Sequence, residues 1–205
     1  QELFEMMARA GCYQIFYGIE SGVQRLRKLI KKDHTLDQAR AAVKMTRAAG
    51  IETVCAFMLT LPTETALETE QTINFGIELD PDYVYWLTTT PYPGTPLYET
   101  ALEGGSIIDT DWQHYTVFNE IVYVPNGRTP EEIKKKLRQA YRRFYLRPQY
   151  LARRVKSLAK ALSGSVSALC CIRRLASEAG SVAVATTCGA GAGARSIFPA
   201  AASAA

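Results

Sequence analysis

Glu20 and Ser21 are the residues whose type and setting point most directly to chemistry. They stand in Gly11-Cys12-Tyr13-Gln14-Ile15-Phe16-Tyr17-Gly18-Ile19-Glu20-Ser21-Gly22, where an apolar run gives way to a carboxylate and a hydroxyl between two glycines. The run reads as a buried strand, and a carboxylate directly after it needs a partner because an unpaired buried charge is expensive. The glycines let the backbone turn sharply and let a ligand approach the main chain closely. Two later stretches share this design: Thr60-Leu61-Pro62-Thr63-Glu64-Thr65 and Thr88-Thr89-Thr90-Pro91-Tyr92-Pro93 each follow an apolar run. Hydroxyls and carboxylates gathered there can bond a ribose, an amino group or a purine edge, while apolar neighbours stack on a ring. For Glu64 and Thr65 the plainer reading is favoured, in which both cap the helix that follows.

The elements that position these residues follow from periodicity. Leu3, Met6, Met7 and Ala10 recur at helical spacing, with Gly11 placed to end the helix. Strands are expected over 13–18, 51–59 and 83–87; the second is a nearly continuous apolar run, as in a parallel sheet covered on both faces. Between them, 23–30 reads as a short amphipathic helix, and Thr35 with Gln38 forms a capping box that opens a helix ended by Gly50. Thr65 with Glu68 can cap a helix to about Leu79, Asp80-Pro81-Asp82 makes a turn, and a short helix follows from Leu97. The order β-α-(α)-β-α-β-α predicts an α/β fold with parallel strands and right-handed crossovers, part of a larger sheet or barrel. Ligands in such folds gather at the carboxyl ends of the strands, so the three polar exits converge on one rim.

From Glu103 the pattern weakens, and Asn119–Val124 reads as a short extended piece. Thr129-Pro130-Glu131-Glu132 starts a basic amphipathic helix, which Leu146-Arg147-Pro148 breaks before another over Tyr150–Leu162. Beyond Ser163 the chain is rich in Ala, Ser and Gly and is read as disordered, with too little apolar surface to offset ordering entropy. The expected domains are 1–105, 106–162 and the tail 163–205.

Hydrophobic content of 47% and charged content of 21% are ordinary for a globular protein. The net charge of +4 conceals an asymmetry: residues 1–129 hold 10 Lys and Arg against 17 Asp and Glu, and residues 130–205 hold 14 against 3. A basic second half suits nucleic acid or an acidic partner, although a solvated helix surface is the blander account. The five cysteines, Cys12, Cys55, Cys170, Cys171 and Cys188, show no metal-binding spacing, and Cys12 and Cys55 read as inert core thiols. His34 reads as a loop residue. His114, with no carboxylate or cysteine at ligand spacing, reads as a packed loop residue. No phosphate loop, dinucleotide fingerprint or Ser-His-Asp order is present. With no signal peptide and no membrane-spanning run, the reading is cytoplasmic. The abrupt start at Gln1-Glu2-Leu3 reads as the middle of a helix and suggests a fragment.

Four stretches together resemble radical S-adenosylmethionine enzymes, the class with an N-terminal cobalamin-binding domain in particular. They are Gly11-Cys12 through Gly18-Ile19-Glu20-Ser21-Gly22, Phe57 through Thr65, Thr90-Pro91-Tyr92-Pro93-Gly94-Thr95-Pro96-Leu97-Tyr98, and Phe144-Tyr145-Leu146-Arg147-Pro148, in family order over about residues 1–160. The resemblance implies the later half of a partial (β/α)6 TIM-like barrel, its fourth to sixth strands, followed by C-terminal basic helices. It implies S-adenosylmethionine beside a four-iron four-sulfur cluster, which starts radical chemistry on a small-molecule substrate, with cobalamin as a further cofactor. The CxxxCxxC loop that holds the cluster in the family is absent here, so the chain itself supplies no metal ligands and is expected to be inactive alone. By the same resemblance Glu20 and Ser21 lie by the ribose and methionine moiety, Met58 to Thr60 line the adenine, and Thr90 to Tyr92 border cofactor or substrate. Thr60 and Thr63 stand where the family carries glycine, which puts the adenine contact in doubt more than the fold. The alternatives are a basic nucleic-acid or acidic-partner binding module, a methylthiotransferase-like radical protein acting on transfer RNA, and a fragment without activity.

Overall fold

The computed structural model describes residues 1–116 and 120–159. Gln1–Arg154 forms one compact unit. Of the second unit, Val155–Ala205, residues 155–159 are described and are helical. The tail expected over 163–205, with Cys170, Cys171 and Cys188, lies outside the described residues.

In chain order the unit contains α1 (Glu2–Arg9), β1 (Gln14–Glu20), α2 (Gln24–Leu29), α3 (Leu36–Ala48), β2 (Glu52–Met58), α4 (Ala66–Leu79), β3 (Tyr83–Leu87) and α5 (Pro96–Gly104). After these come β4 (Gly105–Ile107), β5 (Tyr123–Pro125) and α6 (Pro130–Tyr145), with residues 148–154 helical at its end. Local signals set the helix starts. Thr35 with Gln38, Thr65 with Glu68 and Thr129 with Glu132 all form reciprocal capping boxes. Each satisfies two amide donors that the first helical turn leaves without partners.

Among the described residues the main sheet has the order β1-β2-β3, all parallel, as the alternation of elements requires. One face carries Ile19, Cys55, Phe57, Val84 and Trp86, which pack with Val43, Ile73, Phe75 and Phe144 from α3, α4 and α6 into the principal core. On the opposite face Gly18, Ala56 and Tyr85 stand in register across the three strands, with Phe16 two residues before Gly18. There the Phe16 and Tyr85 rings lie 6.1 Å apart, and Phe16 is 60% exposed. The expected burial of the first strand is therefore corrected: β1 is an edge strand with helices on one face, and only Ile19 in it is fully buried. An apolar run shows that a strand can be covered, not that both faces are.

The outer edge of β3 is closed by side chains. Tyr145 Oη accepts from the Val84 amide and donates to its carbonyl, both at 3.0 Å. Tyr141 Oη does the same at Trp86, at 3.2 and 3.3 Å. Four residues along a helix advance about 6 Å, and two along a strand advance about 6.6 Å, so an i, i+4 tyrosine pair matches an i, i+2 strand edge. The hydroxyls take up the hydrogen bonds that a further strand would make.

About half of the described C-terminal cations are paired inside the unit. Arg143 and Lys136 pair with Glu70; Arg147, Arg153 and Arg47 surround Asp80; and Arg154 reaches Glu52 and Asp82. Lys134, Lys135, Arg138 and Arg142 remain exposed. Antiparallel pairing of β4 with β5 is not suggested by periodicity. The extended piece expected over 119–124 is realised as β5 at Tyr123–Pro125, and Asn119 lies outside the described residues.

Candidate functional site at the strand exits

Glu20 ends β1 in an unusual conformation. The ladder to β2 shifts register between Gly18 and Glu20, and Glu20 has φ of 68°. A non-glycine residue in the left-handed region is uncommon, and such strain gathers at functional positions. A Cβ on Gly18 would lie 2.7 Å from Glu20 Oε1, so the glycine clears space for the carboxylate to fold back over the strand. Lys32 Nζ meets that oxygen at 3.1 Å. The partner demanded for Glu20 is thus the second residue beyond α2's C-cap, a position read from sequence only as the basic end of a helix. Arg27 adds a second cation. It is fully buried, donates Nη2 to the His34 carbonyl at 2.5 Å, and leaves Nε and Nη1 without partners. Burial lowers its pKa while the charge of Glu20 acts to raise it. His34 is held below its ordinary value by burial and by Arg27 and Lys32.

Ser21 braces the β1 exit. It is fully buried; its Oγ lies 3.1 Å from Thr72 Oγ1 and accepts from the Val23 amide at 3.1 Å. Gly22 donates to the same Thr72 oxygen at 3.2 Å, which ties the β1 exit to α4.

At the β2 exit, Met58 is half-buried opposite Leu87 of β3. Thr60 is fully buried, and its hydroxyl accepts from the Thr89 amide at 2.7 Å, stitching the second and third exits together. The hydroxyl in place of the family's glycine therefore has a structural use. Thr63 differs. It has φ of 62° and is held by Arg25, which donates to its hydroxyl and carbonyl while pairing with Glu68. A β-branched residue in that region is strained by about 1–2 kcal/mol, which is why glycine suits the position. Replacing Thr63 with glycine is expected to raise stability by less than about 1 kcal/mol, because the entropy glycine adds to the unfolded chain and the loss of the Arg25 bond to the hydroxyl offset most of the relieved strain. Urea unfolding checks this, and a lowered midpoint counts against the strain account.

Glu64 does not cap α4, contrary to expectation; Thr65 does so with Glu68. The Glu64 carboxylate turns inward, 4% exposed, with Oε2 accepting from the Leu61 amide at 2.8 Å and Oε1 unpartnered. Burial pushes its carboxyl up to about 7, against the Leu61 bond, the Thr69 hydroxyl and the charge of Arg128.

At the β3 exit, Thr88 donates to the Glu120 carbonyl at 3.1 Å, Thr90 to that of Thr116 at 3.3 Å and Tyr92 to that of Tyr115 at 3.2 Å. These bonds hold the aromatic loop against the rim. In that loop His114 Nδ1 lies 2.7 Å from Asp109 Oδ2, and its ring is 46% exposed. The reading of His114 as packed and without a carboxylate partner is corrected; the carboxylate is five residues upstream, across a 3-10 turn. Asp109 raises the His114 pKa.

Glu20, Met58, Thr60 and Thr90 thus stand at the same end of one parallel sheet, with Lys32 added by the fold. An iron–sulfur cluster does not fit the described residues. Among them no group of three or more His, Cys, Asp and Glu could hold a metal ion. Cys55 is buried with its thiol pushed up to about 12, the reverse of a metal-binding thiolate. No helix among the described residues is long and apolar enough to cross a membrane.

Residues 1–76 match the Radical SAM superfamily. The uncharacterized methyltransferase PH0819 of Pyrococcus horikoshii is 36% identical over 151 residues, covering 74% of this chain and 33% of that protein. The anaerobic magnesium-protoporphyrin IX monomethyl ester cyclase of Rubrivivax gelatinosus is 26% identical over 151 residues, covering 74% and 27%. Among solved structures, coproporphyrinogen III oxidase (HemN) from Escherichia coli aligns with a TM-score of 0.49 and 14% identity over 71% of this chain and 29% of that one. The chain spans about a third or less of the length of these relatives. Over the segment that runs from α1 through the Glu20 exit into α4 the chain is thus similar to proteins of the radical SAM superfamily.

Proposed function

We propose that this chain forms the cofactor-facing exits of three strands in a radical S-adenosylmethionine enzyme that acts on a small-molecule substrate. The observation that carries the reading is Glu20, placed at positive φ over Gly18 and paired with Lys32 at the open end of the sheet. A carboxylate beside an ammonium suits the zwitterionic end of S-adenosylmethionine, with Glu20 facing its ammonium or ribose hydroxyls and Lys32 its carboxylate. Met58 and Thr60 at the neighbouring exit are the proposed adenine border, and Thr90 borders cofactor or substrate. When bound beside an iron–sulfur cluster, this cofactor supplies a radical that abstracts a substrate hydrogen. The cluster ligands are proposed to lie outside these 205 residues, which makes the chain alone inactive, and 1–105 is kept as its barrel segment. The printed names of the relatives, methyltransferase and cyclase, favour the cobalamin-binding class and a methyl-transfer or cyclisation reaction in the cytoplasm. A nucleic-acid-binding role draws on C-terminal cations of which Lys136, Arg143, Arg147, Arg153 and Arg154 are held in ion pairs with Glu70, Asp80 and Asp82.

Titrating the labelled chain with millimolar S-adenosylmethionine tests the reading by amide NMR. Shifts are expected at Glu20, Lys32, Met58 and Thr90, and Glu20→Gln with Lys32→Ala should weaken them at least fivefold. No shifts, or shifts centred on the α3 surface around Lys44, overturn it.

A further inference from the structure

A groove with a volume of about 300 Å³ runs between the end of α2 and the start of α5, lined by Leu29, Ile30, Lys31, Pro96 and Leu97 with two threonines at its side. It joins loops that leave two different strands. One wall lies next in sequence to Lys32, the partner of Glu20, and the other begins five residues beyond Thr90. At about 30 Å³ for each water displaced, the space corresponds to about ten non-hydrogen atoms. Leu29 is 37% exposed at the groove, more than an isoleucine or leucine in a finished core would be.

The charge of the groove has one sign. Lys31 is the charged residue of its lining, and Lys28 stands exposed one turn earlier on α2. The backbone at Lys31 is also unusual. The Lys31 amide donates to the Lys28 carbonyl and the Lys32 amide to that of Arg27, a Schellman end to α2. That motif places Lys31 at φ of 56°, a position glycine fills without strain. A lysine held in the left-handed region at the mouth of an apolar groove is an outlier with a functional implication.

We propose that this groove binds the substrate, and that the substrate combines an apolar body of about ten atoms with an anionic group, the body between Leu29, Ile30, Pro96 and Leu97 and the anion on Lys31. Calling the occupant a substrate rests on the proposed radical S-adenosylmethionine reading; the binding chemistry does not.

Octanoate is the probe, titrated into the 205-residue chain by calorimetry and amide NMR. Saturable binding is expected with shifts at Leu29–Lys31 and Leu97, and butyrate should bind at least tenfold more weakly. Lys31→Gly, which relieves the backbone as it removes the charge, should fold at least as well and bind octanoate at least fivefold more weakly, with octan-1-ol unaffected. Leu97→Asp should abolish binding of both. Equal affinity for octanoate and octan-1-ol in the unaltered chain, unchanged binding in either variant, or no saturable binding overturns the proposal. Glu20→Gln should leave octanoate binding unchanged, so a failed S-adenosylmethionine titration with intact octanoate binding removes the cofactor reading and leaves the groove.

Discussion

Gly22→Ala is expected to destabilise the chain by about 2 kcal/mol, although alanine for glycine is often a stabilising change. Where the backbone conformation is compatible, alanine gains about 0.4–1 kcal/mol by restricting the unfolded chain. Gly22 is not among the residues at positive φ, so its conformation permits alanine. Space is what opposes it. An added Cβ would lie 2.6 Å from the Phe75 Cβ, 3.0 Å from the Thr72 Cα and 3.1 Å from the Gln71 carbonyl oxygen. These atoms belong to the middle turns of α4 and cannot swing aside as a side-chain tip would. Overpacking of a tight site costs about 1–3 kcal/mol, and contact with helix backbone puts this site at the upper end, so the steric cost wins. The displacement also reaches the site, because Thr72 is the anchor for Ser21 and for the Gly22 amide. Urea unfolding of Gly22→Ala beside Gly50→Ala separates the two causes. Gly50 has φ of 77° and nothing within 4 Å of an added Cβ, so it reports conformational cost alone. Stability of Gly22→Ala within about 0.5 kcal/mol of the unaltered chain, the usual surface range, overturns the close-approach account.

What the sequence discloses follows from how local each determinant is. The strand Tyr83–Leu87 and the capping boxes at Thr35, Thr65 and Thr129 are read correctly because their causes lie within a few residues. Parallel order follows from the spacing of the elements. The partner of Glu20 is not legible in the same way. Lys32 is twelve residues away, past a helix and a left-handed turn, and only the fold of that turn brings its ammonium to 3.1 Å. The Asp109–His114 pair escapes for a related reason, since a separation of five residues in a 3-10 turn follows no standard ligand spacing. The three-residue strands β4 and β5 are too short for periodicity and are paired by contacts distant in sequence. Exposure of Phe16 is invisible because Ile15-Phe16-Tyr17 reads alike whether one face of the strand is covered or two. At Thr63 the sequence shows a departure from glycine, and the structure supplies its meaning, a backbone angle rather than a ligand contact.

Glu64 should make the stability of the chain fall as pH rises from about 5 to about 8. Burial pushes its folded-state pKa from 4.5 to about 7. Between those values the folded chain holds a proton that the unfolded chain has released, so raising the pH favours unfolding. Below 4.5 both states are protonated and no penalty applies; above 7 both are ionised and the penalty is complete. A shift of that size corresponds to at most about 3 kcal/mol, at 1.36 kcal/mol for each unit. Glu64→Gln removes the titration while keeping an acceptor for the Leu61 amide. The variant should be more stable than the unaltered chain by about 1–2 kcal/mol at pH 8, short of the full amount because its amide group lands where Oε1 has no partner. At pH 5, where the native carboxyl is already neutral, the two proteins should differ little or the variant should be the weaker. Unfolding in urea at both pH values decides the matter: if the stability difference between pH 5 and pH 8 is the same in Glu64→Gln as in the unaltered chain, Glu64 is not the titrating group.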